Sequence, residues 1–257
     1  MTLFALLHGG MHFGSCWDAI AAQLAQRGHR VVAPDLPVDD DSAGALEWAQ
    51  AAIDAIKGVE GGPASEGVVV VAHSISGLCA PVLATLHPVH QIVFVASLLP
   101  VPGQSFVDHL AANPDAITFP EPQEQGAGPF GLTWESVLAG FYHDCPEVLA
   151  RRAFDDLRHQ SFTVFTERCP IDHWPETRST YVLMRDDRAV GASWARRNAV
   201  GRIGARVIEL DGGHSPFFAR PAELSAVLLS LGDSHVDGDC DGGNEVRGAP
   251  RGPMFTV

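Results

Sequence analysis

Val68-Val69-Val70-Val71-Ala72-His73-Ser74-Ile75-Ser76-Gly77 is the stretch whose reading decides the fold. Four consecutive valines read as a strand buried on both faces, as in the middle of a parallel sheet. The strand breaks at a serine whose neighbours two places before and two after, Ala72 and Ser76, are small. This is the spacing of a nucleophile elbow, in which small flanking residues let a serine stand in strained backbone at the tip of a strand-to-helix turn. Ser74 is the candidate nucleophile. Taken alone, the stretch fits equally well a buried strand entering a helix with an ordinary serine cap.

Two distant segments weigh on that choice. Leu3-Phe4-Ala5-Leu6-Leu7 is a short apolar strand ending in His8-Gly9-Gly10, a turn whose missing side chains let backbone N–H groups face a ligand. It has the look of half an oxyanion hole. Val207-Ile208-Glu209-Leu210 reads as another strand and runs into Asp211-Gly212-Gly213-His214-Ser215-Pro216, which puts a candidate base, His214, on a loop at a strand's carboxyl end. Between them, Thr180-Tyr181-Val182-Leu183-Met184 is a strand followed by Asp186 and Asp187, either of which would orient the histidine. The chain order Ser, Asp, His is that of α/β-hydrolases and differs from the two other common serine-triad orders.

With these residues in view the chain resembles the α/β-hydrolase superfamily. His8-Gly9-Gly10 with Cys16-Trp17, then Gly28 to Pro37, Phe94 to Pro100, Phe141-Tyr142-His143-Asp144-Cys145 and Asp211 to Phe217, resembles the plant methylesterase and hydroxynitrile lyase branch and its bacterial esterase relatives, out to about residue 231. The resemblance implies a mostly parallel six-stranded sheet with helices on both faces and a helical cap insertion. It implies a triad of Ser74, His214 and Asp187, the last chosen over Asp186 by registering Asp187-Arg188-Ala189-Val190 against the family's acid-plus-three pattern. It also implies an oxyanion hole from the backbone N–H groups of Gly10 and Ile75. His8 and His73 are expected to support turns without moving protons.

The alternation of strands and helices agrees with that fold. Strands are expected near 2–7, 30–33, 67–72, 91–96, 179–184 and 205–210, and one helix after Ser74, whose start Pro81 leaves uncertain. Residues 1–99 and 176–231 form the expected core. Residues 100–175 break the alternation and, by resemblance, form the cap that roofs the site, with Trp134, Phe141, Tyr142 and His143 as pocket candidates and Phe106, Phe130, Phe162 and Phe165 as further aromatic lining. The reading in which most of them seal the cap against the core stays open. The segment 232–257 is dominated by Gly, Asp and Pro and is expected to be a disordered tail.

Composition narrows the partners. The 257 residues are enough for one core that buries roughly 70–75% of the unfolded surface. A net charge of −14 and the lack of any Lys/Arg-rich run argue against nucleic acids and acidic membranes. Five scattered cysteines without a C-x-x-C pair favour reduced thiols over a disulfide framework or a zinc site. The first apolar run has no basic flank and is interrupted at His8, so a cytoplasmic enzyme without cofactor or metal is expected, of unspecified oligomeric state.

Three functions stay open. The first is a serine esterase acting on small carboxylic esters. The second is a lyase on the same scaffold, and the third is a slow-turnover ligand-binding homologue. Against the lyase, the resemblance implies a threonine after the first-turn histidine and a lysine after the catalytic one, where this chain has Gly9 and Ser215.

Overall fold

The computed structural model describes residues 1–59, 67–119 and 131–233. Its strands are β1 (Leu3–Leu7), β2 (Arg30–Val32), β3 (Val68–His73), β4 (Gln91–Val95), β5 (Arg178–Met184) and β6 (Arg206–Leu210). They lie in the order β2-β1-β3-β4-β5-β6, every neighbouring pair parallel. Each falls within a residue or two of its expected position.

Alternation along the strands divides the core in two, because successive side chains point to opposite faces. Leu3, Ala5 and Leu7 with Val68, Val70 and Ala72 pack against Trp48 of α2 (Ala45–Val59), Leu83 of α3 (Ala80–Leu86) and, farther along the same face, Trp194 of α8 (Ala192–Gly201). Phe4, Leu6, Val69 and Val71 pack on the other face with Ile20 and Leu24 of α1 (Asp18–Gln26) and Leu224 and Leu228 of α10 (Pro221–Asp233). A sheet covered on both sides explains the uninterrupted valines.

The single helix expected after Ser74 is two pieces. A 3₁₀ turn spans Ser74–Leu78, and α3 begins only at Ala80. Pro81 therefore lies in its first turn, where the missing N–H breaks no bond.

Between β4 and β5 the chain inserts α4 (Phe106–Ala112), α5 (Trp134–Gly140), α6 (Glu147–Asp155) and α7 (Thr163–Thr166). Val137, Tyr142, Ala150 and Ala153 of this insertion form a third apolar cluster with Met11 from the loop after β1. The short α9 (Pro216–Ala219) precedes α10. The expected tail boundary needs correcting: Gly232 and Asp233 complete α10, and the Gly232 carbonyl accepts a hydrogen bond from Thr2 Oγ1 at 3.0 Å. The rest of the expected tail, 234–257, lies outside the described residues, as does Phe130.

The sheet order reverses between β1 and β3, the point where open α/β sheets hold ligands beyond their carboxyl ends. Ser74 directly follows β3, the His8 turn follows β1, and the loops carrying Asp187 and His214 follow β5 and β6.

Candidate active site

Ser74 has φ +55°, left-handed backbone that costs a non-glycine residue roughly 1–2 kcal/mol. Neighbours hold it there. Its carbonyl accepts hydrogen bonds from Leu98 N and Ser97 Oγ, both at 2.9 Å. A Cβ on Gly77 would run into the Leu98 carbonyl oxygen and Ser97 Oγ, so the turn closes only with glycine there. Ser76 is fully buried, and its hydroxyl donates to the carbonyls of His73 (2.8 Å) and Leu7 (3.1 Å).

His214 Nε2 lies 3.0 Å from Ser74 Oγ, and His214 Nδ1 lies 3.0 and 3.1 Å from the two carboxylate oxygens of Asp187. Both side chains are 3% exposed. Asp187 Oδ1 also accepts from the N–H groups of Ala189 (2.8 Å) and Val190 (3.0 Å), which holds the carboxylate on the histidine. Asp186 faces elsewhere: its Oδ2 accepts from Gly212 N at 3.1 Å. The geometry thus puts Asp187, not Asp186, against the imidazole, with Nδ1–H donating to the carboxylate and Nε2 facing the serine hydroxyl.

Three more histidines surround this group. Burial lowers the pKa of His8 to about 3 and that of His12 to about 4. Neutral His8 donates from Nδ1 to the Gly9 carbonyl (2.7 Å) and accepts at Nε2 from Leu36 N (2.9 Å). Neutral His12 donates from Nδ1 to the Gly10 carbonyl (2.6 Å) and accepts at Nε2 from the Tyr142 hydroxyl (2.7 Å). His73, whose pKa burial also lowers, donates from Nε2 to the His214 carbonyl at 2.9 Å. Each ring ties one backbone segment to another. Gly9 is required beneath them, because a Cβ there would lie 2.6 Å from His73 Nδ1.

Gly10 and Ile75 line a cavity of about 340 Å³ together with Ser74 and His214. Ile75 is the second residue of the 3₁₀ turn, in its first turn, where an N–H has no acceptor within the helix. Apart from His12, His73 and Gln160, the remaining wall is apolar, with Met11, Leu98, Ile117, Phe119, Leu132 and Val190 among its members, and among the described residues it holds no Asp, Glu, Lys or Arg.

Of the four pocket candidates only Phe141 lines this cavity, with its ring stacked on His214 at a centroid distance of 5.3 Å. The other three need correcting. Tyr142, the next residue, points the opposite way into the insertion's core, fully buried, to meet His12. Trp134 packs on Phe154 at 5.5 Å and carries the Arg151 guanidinium over its ring at 4.6 Å. His143 donates from Nε2 to the Asp186 carbonyl at 3.0 Å, so it braces the acid loop. Phe106, Phe162 and Phe165 do line the cavity.

Sequence reasoning passed over Gln160 and Asp144. Asp144 Oδ2 accepts from Gly213 N at 2.8 Å, one residue before His214. Gln160 stands in no motif, and Asp144 was read only as part of the Phe141–Cys145 stretch that carries the resemblance; each acts on a backbone N–H far away along the chain.

Among the described residues no helix is long and apolar enough to cross a membrane, and no three His, Cys, Asp or Glu side chains group to hold a metal ion.

Residues 4–227 match the model of the alpha/beta hydrolase family. Methylesterase 7 of Arabidopsis thaliana is 26% identical over 264 residues, covering 91% of this chain and 97% of the relative. A pyrethroid hydrolase of Sphingobium wenxiniae is 25% identical over 257 residues, covering 92% and 90%. Among solved structures, polyneuridine aldehyde esterase superposes with a TM-score of 0.72 at 18% identity, covering 91% of this chain and all of that one (100%).

Proposed function

We propose, for a chain that belongs to the alpha/beta hydrolase family, that it hydrolyses small, uncharged carboxylic esters through an acyl-enzyme on Ser74. The observation that carries this reading is the unbroken line Ser74 Oγ, His214, Asp187 at 3.0 and 3.0–3.1 Å, ending on a serine in left-handed backbone.

His214 takes the Ser74 proton as Oγ attacks the ester carbonyl. Asp187 keeps the proton on Nδ1, so that Nε2 is free to accept, and faces the imidazolium that forms. The oxyanion meets the N–H groups of Gly10 and Ile75, each such donor being worth about 10²–10³ in rate. The imidazolium returns its proton to the leaving alcohol, and water repeats the cycle to release the acid. The helical insertion between β4 and β5 serves as the cap over this site.

The cavity wall supports an apolar, uncharged substrate: with no Lys or Arg among its described residues, a free carboxylate would lose its hydration without a partner. The names of the relatives, methylesterase and pyrethroid hydrolase, support ester cleavage. Cyanohydrin cleavage on the same scaffold is disfavoured by Gly9 and Ser215, which stand where the resemblance to the lyases implies a threonine for the cyanohydrin hydroxyl and a lysine whose positive charge would meet departing cyanide.

The test is acid release from a series of p-nitrophenyl and methyl esters by the enzyme and by Ser74→Ala, beside cyanide release from mandelonitrile. Ser74-dependent ester hydrolysis is expected. Ser74-dependent cyanide release outpacing it would favour the lyase, and binding of the esters without turnover would favour a ligand-binding role.

A further inference from the structure

The loop after β1 is tied down almost completely. The carbonyls of Gly9, Gly10, Met11 and His12 each have a donor: His8 Nδ1, His12 Nδ1, Arg158 N (2.9 Å) and Arg158 Nε (3.0 Å). Met11 N–H donates to Gln160 Oε1 at 3.2 Å. Among the described residues no acceptor takes the Gly10 N–H, the group assigned above to the oxyanion. Three of these ties, two from Arg158 and one to Gln160, come from one short strap of the insertion, about 150 residues from the loop in sequence.

Met11 has φ +62°, left-handed backbone in a residue with a side chain. Rotating the Gly10–Met11 peptide by half a turn would return Met11 to ordinary backbone. It would also swing the Gly10 carbonyl towards the position now held by Met11 N–H, facing Gln160 and the cavity both line. A carbonyl dipole there would repel the oxyanion that the neighbouring Gly10 N–H attracts. Gln160 stands against that rotation. Its amide is oriented by donation from Nε2 to the Ser161 carbonyl (2.9 Å), which leaves Oε1 as the atom facing Met11. It is 3% exposed, and a Cβ on Gly10 would lie 2.8 Å from Oε1, so the glycine allows the amide to press on the turn.

We infer that Gln160 is a positioning residue: by accepting the Met11 N–H it fixes the peptide orientation of the oxyanion turn, and so acts on the transition state more than on substrate binding. The inference rests on the acyl-enzyme reading above.

The variant to compare is Gln160→Met, close in length but without an acceptor for Met11 N–H. Its kcat for a p-nitrophenyl ester should fall about 10- to 100-fold with KM within about twofold, as when a catalytic group is displaced slightly. Affinity for a trifluoromethyl ketone, which forms an oxyanion on Ser74, should fall by a similar factor, while affinity for the corresponding ether, which cannot, should hold. A structure of the variant should have the Gly10 carbonyl turned into the cavity.

Equal losses for ketone and ether, or loss of cooperative melting, would make Gln160 a general packing residue and overturn the inference. So would an unchanged kcat. If the wild-type enzyme takes up no fluorophosphonate on Ser74, the acyl-enzyme reading itself fails; normal labelling with an unaffected variant defeats only the role of Gln160.

Discussion

The Tyr181 hydroxyl on β5 grips both backbone groups of Ser97: it donates to the carbonyl at 2.7 Å and accepts from the N–H at 2.8 Å. Ser97 Oγ donates in turn to the Ser74 carbonyl at 2.9 Å, so a buried phenol underpins the elbow at second hand. Ala96, just before, has φ +47° and, like Ser74 and Met11, is a left-handed residue needing support. Tyr181→Phe leaves two backbone groups buried and unpaired, which should cost about 1–3 kcal/mol. Thermal unfolding should show a drop of several degrees and activity measured below Tm a smaller kcat; an unchanged Tm would contradict the role.

Asp187 and Asp186 are neighbours with separate work, and substitution should separate them. Asp187→Asn should lower kcat by about 10⁴, because an amide in that place can favour the wrong imidazole tautomer. Asp186→Asn keeps an oxygen acceptor for Gly212 N and should lose less than about tenfold. Steady-state kinetics of the pair decide it, and the reverse order of severity would mean that Asp186 is the acid.

Acid should unfold the protein through His8 and His12. Their pKa values fall to about 3 and about 4 on folding, so between pH 6.5 and those values the unfolded chain binds protons that the native state refuses. Stability therefore rises with pH across that window, is lost as pH falls below about 6.5, and is unaffected by these groups above it. Urea unfolding at pH 7.0 and 5.0 should differ by a few kcal/mol from this cause. A curve flat from pH 7 to 5 would contradict the buried neutral rings.

Gly9→Thr should be severe although it adds only a small side chain. The new Cβ would sit 2.6 Å from His73 Nδ1 and 3.1 Å from Ser74 Cβ, in a fully buried setting. Overpacking of this kind costs about 1–3 kcal/mol, and displacing His73 releases the His214 carbonyl it holds. Melting and ester turnover should both suffer. A stable, fully active variant would show that His73 can move freely.

What the sequence made legible was what periodicity and local turn chemistry encode. Four valines before Ser74 and apolar runs before His8 and His214 marked strands, and the strands place those residues at adjacent carboxyl ends without further information. Pocket lining was legible only in part, because it depends on which way each side chain of the insertion points. Phe141 and Tyr142 are consecutive, yet one stacks on His214 and the other fills the core behind it. Gln160 was invisible for a related reason: its contact is with a backbone N–H, which has no residue type to read.

The most direct test of the central claim is covalent labelling with a fluorophosphonate, followed by peptide mapping. The arrangement of Ser74 and His214 predicts a single adduct on Ser74, formed quickly in the native enzyme, slowly in His214→Ala and not at all in Ser74→Ala. An adduct on Ser76, or undiminished labelling of Ser74→Ala, would contradict it.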